Sequence, residues 1–374
     1  MLHNKIYQNY FSEIFKIFIT ILLSLSLIAW TVRAVNFLDL IVENGYAVST
    51  YFKFSLLNLF GIIPKFIPLA FLSALTIFII KQIQENELVI LWTSGVKKIQ
   101  IINLFFFFSI FIALFHLVFS AIISPYALNK SRMLLSNKNL TSILPTFRVQ
   151  QFSDSFKGLT FIIDDKFENK VTNIFLYDEA NILKNVSSKK GSKNSSAVIA
   201  KNGIIEDKKM ILFDGLIITS DSKNENDIIK FEQIDIDLNM LKNNTIKSPK
   251  IQETSTLKLI GCLNNNYYKD KNCEGNFKSE ILPTLNRRII FPLFIPVVAL
   301  IASLLITINK RSIFNHKISI FGYSFLVLLY AELTIRYTGL YKLFANIFIL
   351  SPFILLILVY SFYIFKLKLF QKHI

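Results

Sequence analysis

IIPKFIPLAFLSALTIFIIKQIQENELVILWTSGVKK, residues 62–98, passes from a long apolar run carrying two prolines into a short segment where acidic, apolar and basic residues mix. The apolar part belongs to a run over 55–80, longer than the roughly 20 residues that a membrane-crossing helix needs. Pro64 and Pro68 stand four apart inside it and are predicted to kink or break the helix, because each removes a backbone donor and crowds the preceding turn. Beyond the run, Glu85 and Glu87 open the mixed segment and Lys97 and Lys98 close it, the polarity a helix dipole favours, while Gly95 supplies a stop. Leu88, Leu91 and Trp92 fall at i, i+3 and i+4 and share one face of this short helix. A lid over the membrane surface and a peg docking into another protein both carry that pattern, which does not choose between them.

Around this stretch the chain is too apolar for an ordinary soluble domain, with 53% hydrophobic residues, 37 phenylalanines in 374 residues and a mean hydropathy of +0.48. Six runs are long enough to span a bilayer, at 14–32, 55–80, 99–123, 289–308, 319–340 and 344–365. The first has Lys5 and Lys16 before and within it, as a signal sequence would. It exceeds the roughly 7–15 apolar residues of a cleavable signal and meets Arg33 rather than a small-residue cleavage site, so it reads as an uncleaved anchor. Lys81, Lys97 and Lys98, then Lys310, Arg311 and Lys317, then Lys366, Lys368 and Lys372 alternate with loops holding only Arg33 and Lys53, or Arg336 and Lys342. That bias predicts cytoplasmic termini, a cytoplasmic 84–98 helix and an external insert between the third and fourth spans. The formal charge of +16 lies on loops and tails rather than on one helix face, which disfavours nucleic acid as a partner.

Within the insert, FRVQQFS, GLTFIID, TNIFLYD, SAVIAKNG, MILFDGLIIT and IIKFEQIDIDL are short β-rich runs bounded by Asp, Asn, Gly and Lys. They predict an all-β domain, a sandwich or jelly roll, although alternation is clear only in places such as Ile234, Ile236 and Leu238. The predicted division is 1–123 for three spans with the short helix, 124–285 for the β-domain and its connections, and 286–374 for three more spans and a tail. Cys262 and Cys273 are the only cysteines, and in an oxidising compartment they are expected to close a small disulfide loop. Without a nearby His they make a poor zinc site, and no metal is expected.

No GxxxxGK[ST] phosphate loop occurs, so the chain is not expected to hydrolyse ATP itself, and His3, His116, His316 and His373 are scattered with no HExxH or GxSxG about them. No catalytic residue and no cofactor is expected. His116, inside an apolar run, reads as a hydrogen-bonded packing residue. Glu332 and Arg336 stand i, i+4 in the fifth span and are expected to neutralise each other.

With these residues in hand, the sequence resembles the LptF/LptG permeases of the lipopolysaccharide-export ABC transporter. Pro64, Pro68, Leu69, Ala70, Glu87, Leu88, Leu91, Gly95 and Val96 fit the family's paired prolines followed by an E-L, leucine, G-V run, and RRIIFPLFIPVVALIASLL at 287–305 is a second match. The loop VRAVNFLDLIVENGYAVSTYF leans towards the LptF member. Lys97 and the pair Trp92-Thr93 depart from the commoner residues of the first motif. The resemblance implies six spans with a periplasmic β-jellyroll after the third, in a bacterial inner membrane. It implies a heterodimer with a second such permease, a cytoplasmic ABC ATPase dimer, and a periplasmic bridge protein with a similar jellyroll. The short helix becomes the coupling helix, with Glu85 and Glu87 pairing with basic groove residues and Leu88 and Leu91 filling the groove's floor. A cavity open to the outer leaflet would hold lipopolysaccharide, its phosphates meeting Arg33, with Lys53 and Lys65 as further contacts. The other readings are a lipoprotein-release-type permease, which has four spans and its domain after the first, and a non-transporting anchor whose β-domain binds an envelope partner.

Overall fold

The computed structural model describes residues 2–42, 47–136, 149–156, 158–179, 195–206, 209–220, 226–237, 250–263, 277–307 and 310–371. Helices α1 (Leu2–Asn36), α2 (Asp39–Val42), α3 (Val48–Gln84), α4 (Glu87–Thr93) and α5 (Lys98–Val118) come first. A π-helical turn at Phe119–Ile123 leads from α5 into α6 (Ser124–Ser136). After the sheet come α7 (Thr256–Leu263), α8 (Phe277–Ile289), α9 (Phe294–Ser303), α10 (Lys310–Tyr337) and α11 (Lys342–Gln371). Among the described residues six helical stretches are long and apolar enough to cross a membrane, at Lys5–Ile41, Val48–Gln84, Lys98–Leu135, Ser279–Thr307, His316–Tyr337 and Leu343–Phe365. The chain is therefore a multi-pass helical membrane protein with an inserted β-domain.

Two compact units form: Met1–Val32, Leu56–Arg132 and Ser248–Ile374 make one, and Arg33–Ser55 with Met133–Lys247 make the other. These boundaries differ from the expected 123 and 285 because α6 continues past the third apolar run, and Ile251 and Leu259 pack with Ile281 and Leu285 of α8 in one cluster.

In the helical unit α9 lies at the centre, every residue from Phe294 to Ser303 being buried. Its sequence, FIPVVALIAS, is apolar all round, which fits a helix with neighbours on every side. Ala299, Ala302 and Ser303 also let other helices approach closely. From α11 the fully buried Tyr363 donates its hydroxyl hydrogen to the Leu300 carbonyl at 2.7 Å. Phenylalanines fill the remaining space edge to face, as between Phe78 and Phe105 at 6.0 Å and 88°. α3 runs unbroken through Pro64 and Pro68, so the pair does not end the span; inside a bundle, neighbouring groups can serve the backbone positions that proline leaves unbonded.

The second unit holds β1 (Ser153–Phe156), β2 (Leu159–Phe167), β3 (Lys170–Asp178), β4 (Ser195–Glu206), β5 (Lys209–Ser220) and β6 (Asn226–Asp237). They form one antiparallel sheet in the order β1-β2-β3-β4-β5-β6. Among the described residues the strands thus follow each other as a meander, within the inserted all-β domain that the sequence predicted. One face is apolar, with Phe161, Ile163, Ile174, Leu176, Val198 and Leu212 at its centre.

One interruption crosses β2 to β6 with the register kept on both sides of it. The regular pairing skips Asp164 and Asn173 between β2 and β3, Asn173 and Lys201 between β3 and β4, and Asp214 and Glu232 between β5 and β6. Asn173 and Asp214 have φ of 46° and 51°. A residue in this left-handed conformation interrupts the extended alternation without shifting the register, so in β5 Met210 and Leu212 are buried before Asp214, and Ile217 and Thr219 after it. Next to Asp214, a Cβ on Gly215 would overlap the Ile199 carbonyl and the Phe231 ring. Gly215→Ala is therefore expected to cost about 1–3 kcal/mol, seen as faster proteolysis within β4 to β6 of the intact chain; unchanged cleavage would show that the sheet absorbs the extra methyl.

Candidate functional site

The short helix α4 hangs between two spans and is fixed at both ends. Asn86, at φ 59°, turns the chain out of α3; Asn tolerates this left-handed conformation. At the other end the Val96 N–H donates to Leu91 O at 3.0 Å and the Gly95 N–H to Trp92 O at 3.1 Å, with Gly95 at φ 92°. This is a Schellman ending, completed by apolar packing of Val96 and Leu91 in one core. Nearby, Tyr10 donates to Gln82 Oε1 at 2.9 Å and Lys81 to Glu13 Oε1 at 2.6 Å, binding the start of α1 to the end of α3.

The burial pattern corrects the expected contact face. Leu88 and Leu91 are 2% and 9% exposed and belong to the helical core, so they are not available to fill a partner's groove. Trp92 is half-buried, with Lys98 Nζ 4.5 Å from its ring centroid. The apolar residues facing outward are Val89 and Ile90, 47% and 63% exposed, beside the exposed Glu85 and the half-buried Glu87. Helical spacing identified a coherent face, but the face that binds the chain's own core.

A second constellation lies inside the helical unit. Lys65 and Pro64 of α3, His116 of α5, Ser120 of the π turn, Arg287 and Arg288 of α8 and Glu332 of α10 line one polar cavity of about 170 Å³. Two of its walls depart from regular α-helix, the π turn and a 3₁₀ turn at Phe291–Leu293, features that recur at functional sites, and a third carries the proline pair of α3. Pro68 has no N–H to give the Pro64 carbonyl, and His116 hydrogen-bonds there instead. Arg288 is 5% exposed and donates to Gln252 O at 2.8 Å, Thr254 O at 2.9 Å and Thr256 Oγ1 at 3.1 Å. Arg287 pairs with Glu332, which corrects the expected Glu332–Arg336 pair: a guanidinium from the facing helix meets the carboxylate instead.

Of the expected lipid contacts, Lys65 is in this cavity, whereas Arg33 and Lys53 belong to the other unit. There, the end of α1 is joined to the start of α3 by the Tyr51 hydroxyl, which donates to Ala34 O at 2.9 Å, and by Phe37 edge-on to Phe54 at 4.9 Å. Arg33 and Lys53 are exposed on these two joined helices. The helical unit also has an apolar groove of about 600 Å³ between α10 and α11, lined by Leu326, Tyr330, Ile347, Leu350 and Ile354 among others. Cys262 lies in α7, and Cys273 lies outside the described residues.

The reading of the sequence missed Arg287, Arg288 and Ser120 as site residues. The paired arginines opening an apolar run were a usable signal, since charges at membrane depth are costly; the π turn gave none.

The family model described as lipopolysaccharide export system permease LptF/LptG matches residues 9–366, nearly the whole chain. No curated protein matches it. The chain belongs to the LptF/LptG family.

Proposed function

We propose that this chain is one permease of a heterodimeric ABC transporter that extracts lipopolysaccharide from the inner membrane and passes it to a periplasmic bridge, driven by a separate cytoplasmic ATPase dimer. The family is a transport component of the lipopolysaccharide export system rather than an enzyme. Both termini and α4 face the cytoplasm in this reading, by the Lys and Arg bias of the loops.

The observation that carries the coupling is the split character of α4: Leu88 and Leu91 root it in the core shared with Phe78, Ile101 and Phe105, while Val89 and Ile90 face out. A push on the outer face of such a helix moves the spans that hold its inner face. Glu85 and Glu87 add charge complementary to a basic rim. The groove between α10 and α11 suits acyl chains, and Arg33 and Lys53 suit the substrate's phosphates. The apolar face of the sheet would receive the lipid next, and β6, paired on one side only among the described residues, offers an edge for a similar β-domain.

The test is purification of the tagged chain from its native membranes in mild detergent, followed by mass spectrometry of proteins recovered in stoichiometric amount. An ABC ATPase and a second permease of this family are expected. Recovery of the intact chain without an ATPase, where other ABC complexes survive, would favour the non-transporting anchor.

A further inference from the structure

We propose that the polar cavity of the helical unit is a binding site for a phosphate monoester. Lys65, Arg287 and Arg288 face one carboxylate, Glu332, in its lining, so positive charge is in excess there. An anion therefore gains there what a cation would lose, and within candidate membrane spans this attraction is weakly screened. Both arginines are held in place, Arg288 by two carbonyls and a hydroxyl and Arg287 by Glu332. Donors held this way need little reordering when a ligand arrives. The volume of about 170 Å³ is many times the roughly 10–15 Å³ that one water requires on the same measure, and it accommodates a tetrahedral oxyanion.

His116 narrows the ligand further. It is 2% exposed, and its Nδ1 has no hydrogen-bond partner among the described residues. With the Pro64 carbonyl beside the ring and Nδ1 unpartnered, we assign the proton of the neutral ring to the other nitrogen, which leaves Nδ1 an acceptor. The missing partner is thus a donor. A phosphate monoester, whose second ionisation lies near pH 6, offers both kinds of contact: a P–O–H to donate to Nδ1 and further oxygens to accept from Lys65 and Arg287. A phosphate diester or a carboxylate has the charge without the hydroxyl. The site itself does not depend on the transport reading; only the inference that its phosphate comes from a lipid rests on it.

The full-length chain is placed in phosphatidylcholine nanodiscs and titrated with inorganic phosphate by calorimetry; parallel discs contain phosphatidic acid, a monoester, or phosphatidylglycerol, a diester. Saturable phosphate binding is expected, displaced by phosphatidic acid and not by phosphatidylglycerol, and weakened about tenfold or more by Lys65→Gln, a loss of about 1.4 kcal/mol. Lys209→Gln, on β5, is expected to leave it unchanged. Binding of inorganic phosphate without competition by phosphatidic acid would keep the site but assign it a soluble ligand, separating it from lipid transport. No phosphate binding, equal competition by phosphatidylglycerol, or indifference to Lys65→Gln in a chain that melts normally would overturn the proposal. The lipid comparison uses the unaltered chain, so it decides even if Lys65→Gln fails to fold, and no ATPase is needed for any arm.

Discussion

An Ile90→Asp chain is expected to reach the membrane, melt normally and retain its partner permease, yet to lose the ATPase on purification and to stop export. Ile90 is 63% exposed on α4, so a carboxylate there stays hydrated in the isolated chain and costs the fold little. In a docked complex the same carboxylate would be buried in an apolar contact, and central contacts of this kind cost about 2 kcal/mol or more when destroyed, roughly 30-fold in affinity. Val89→Asp, at 47% exposure beside it, is expected to act in the same direction. Leu91→Asp tests something else. Leu91 is 9% exposed, and its carbonyl and side chain take part in the Schellman ending with Val96; a charge there would disrupt the helix itself, and loss of the ATPase would follow trivially. The measurement is the ATPase-to-permease ratio in mild detergent, with a melting curve for each variant. Full retention of the ATPase by a normally melting Ile90→Asp chain would remove α4 from the contact.

The reversed face of α4 shows what the sequence carries and what it does not. A spacing of i, i+3, i+4 marks Leu88, Leu91 and Trp92 as one face, but periodicity says only that a face is apolar, not whether the chain or a partner covers it. The six spans were legible because a bilayer demands long apolar runs, and α9's burial follows from its lack of a polar face. The β-domain was legible as strands but not as a meander. Left-handed residues at Asn173 and Asp214 reverse the inward side within a strand, so the alternation that defines a strand's face is cut into pieces too short to read. In the cavity, Lys65, His116 and Glu332 were each visible as unusual residues in apolar runs. What brings them together is the packing of α3, α5, α8 and α10, with an ion pair from Arg287 that no local spacing suggests.

Arg288→Met is expected to be the most destabilising single substitution at the cavity. The guanidinium serves the carbonyls of Gln252 and Thr254 and the Thr256 hydroxyl oxygen, and Thr256 in turn donates to the Ala121 carbonyl of the π turn at 2.5 Å. One side chain of the fourth span thus fixes the segment leading into α7, and through it the irregular stretch of the third. Methionine matches the length of the stem but leaves those acceptors unserved, at about 1–3 kcal/mol for each that water does not reach. A total of about 3–5 kcal/mol is expected, the usual scale for breaking a buried charged network. Arg288→Lys retains the charge yet brings its donors to one point, so it cannot span acceptors on three residues and is expected to rescue only part of the loss. Thermal unfolding of the full chain in detergent, without phosphate, measures this. Destabilisation in its absence marks Arg288 as the anchor of the cavity wall, whereas a chain that melts like the parent would make the bonds to Gln252, Thr254 and Thr256 dispensable and leave the arginine's charge as its main contribution.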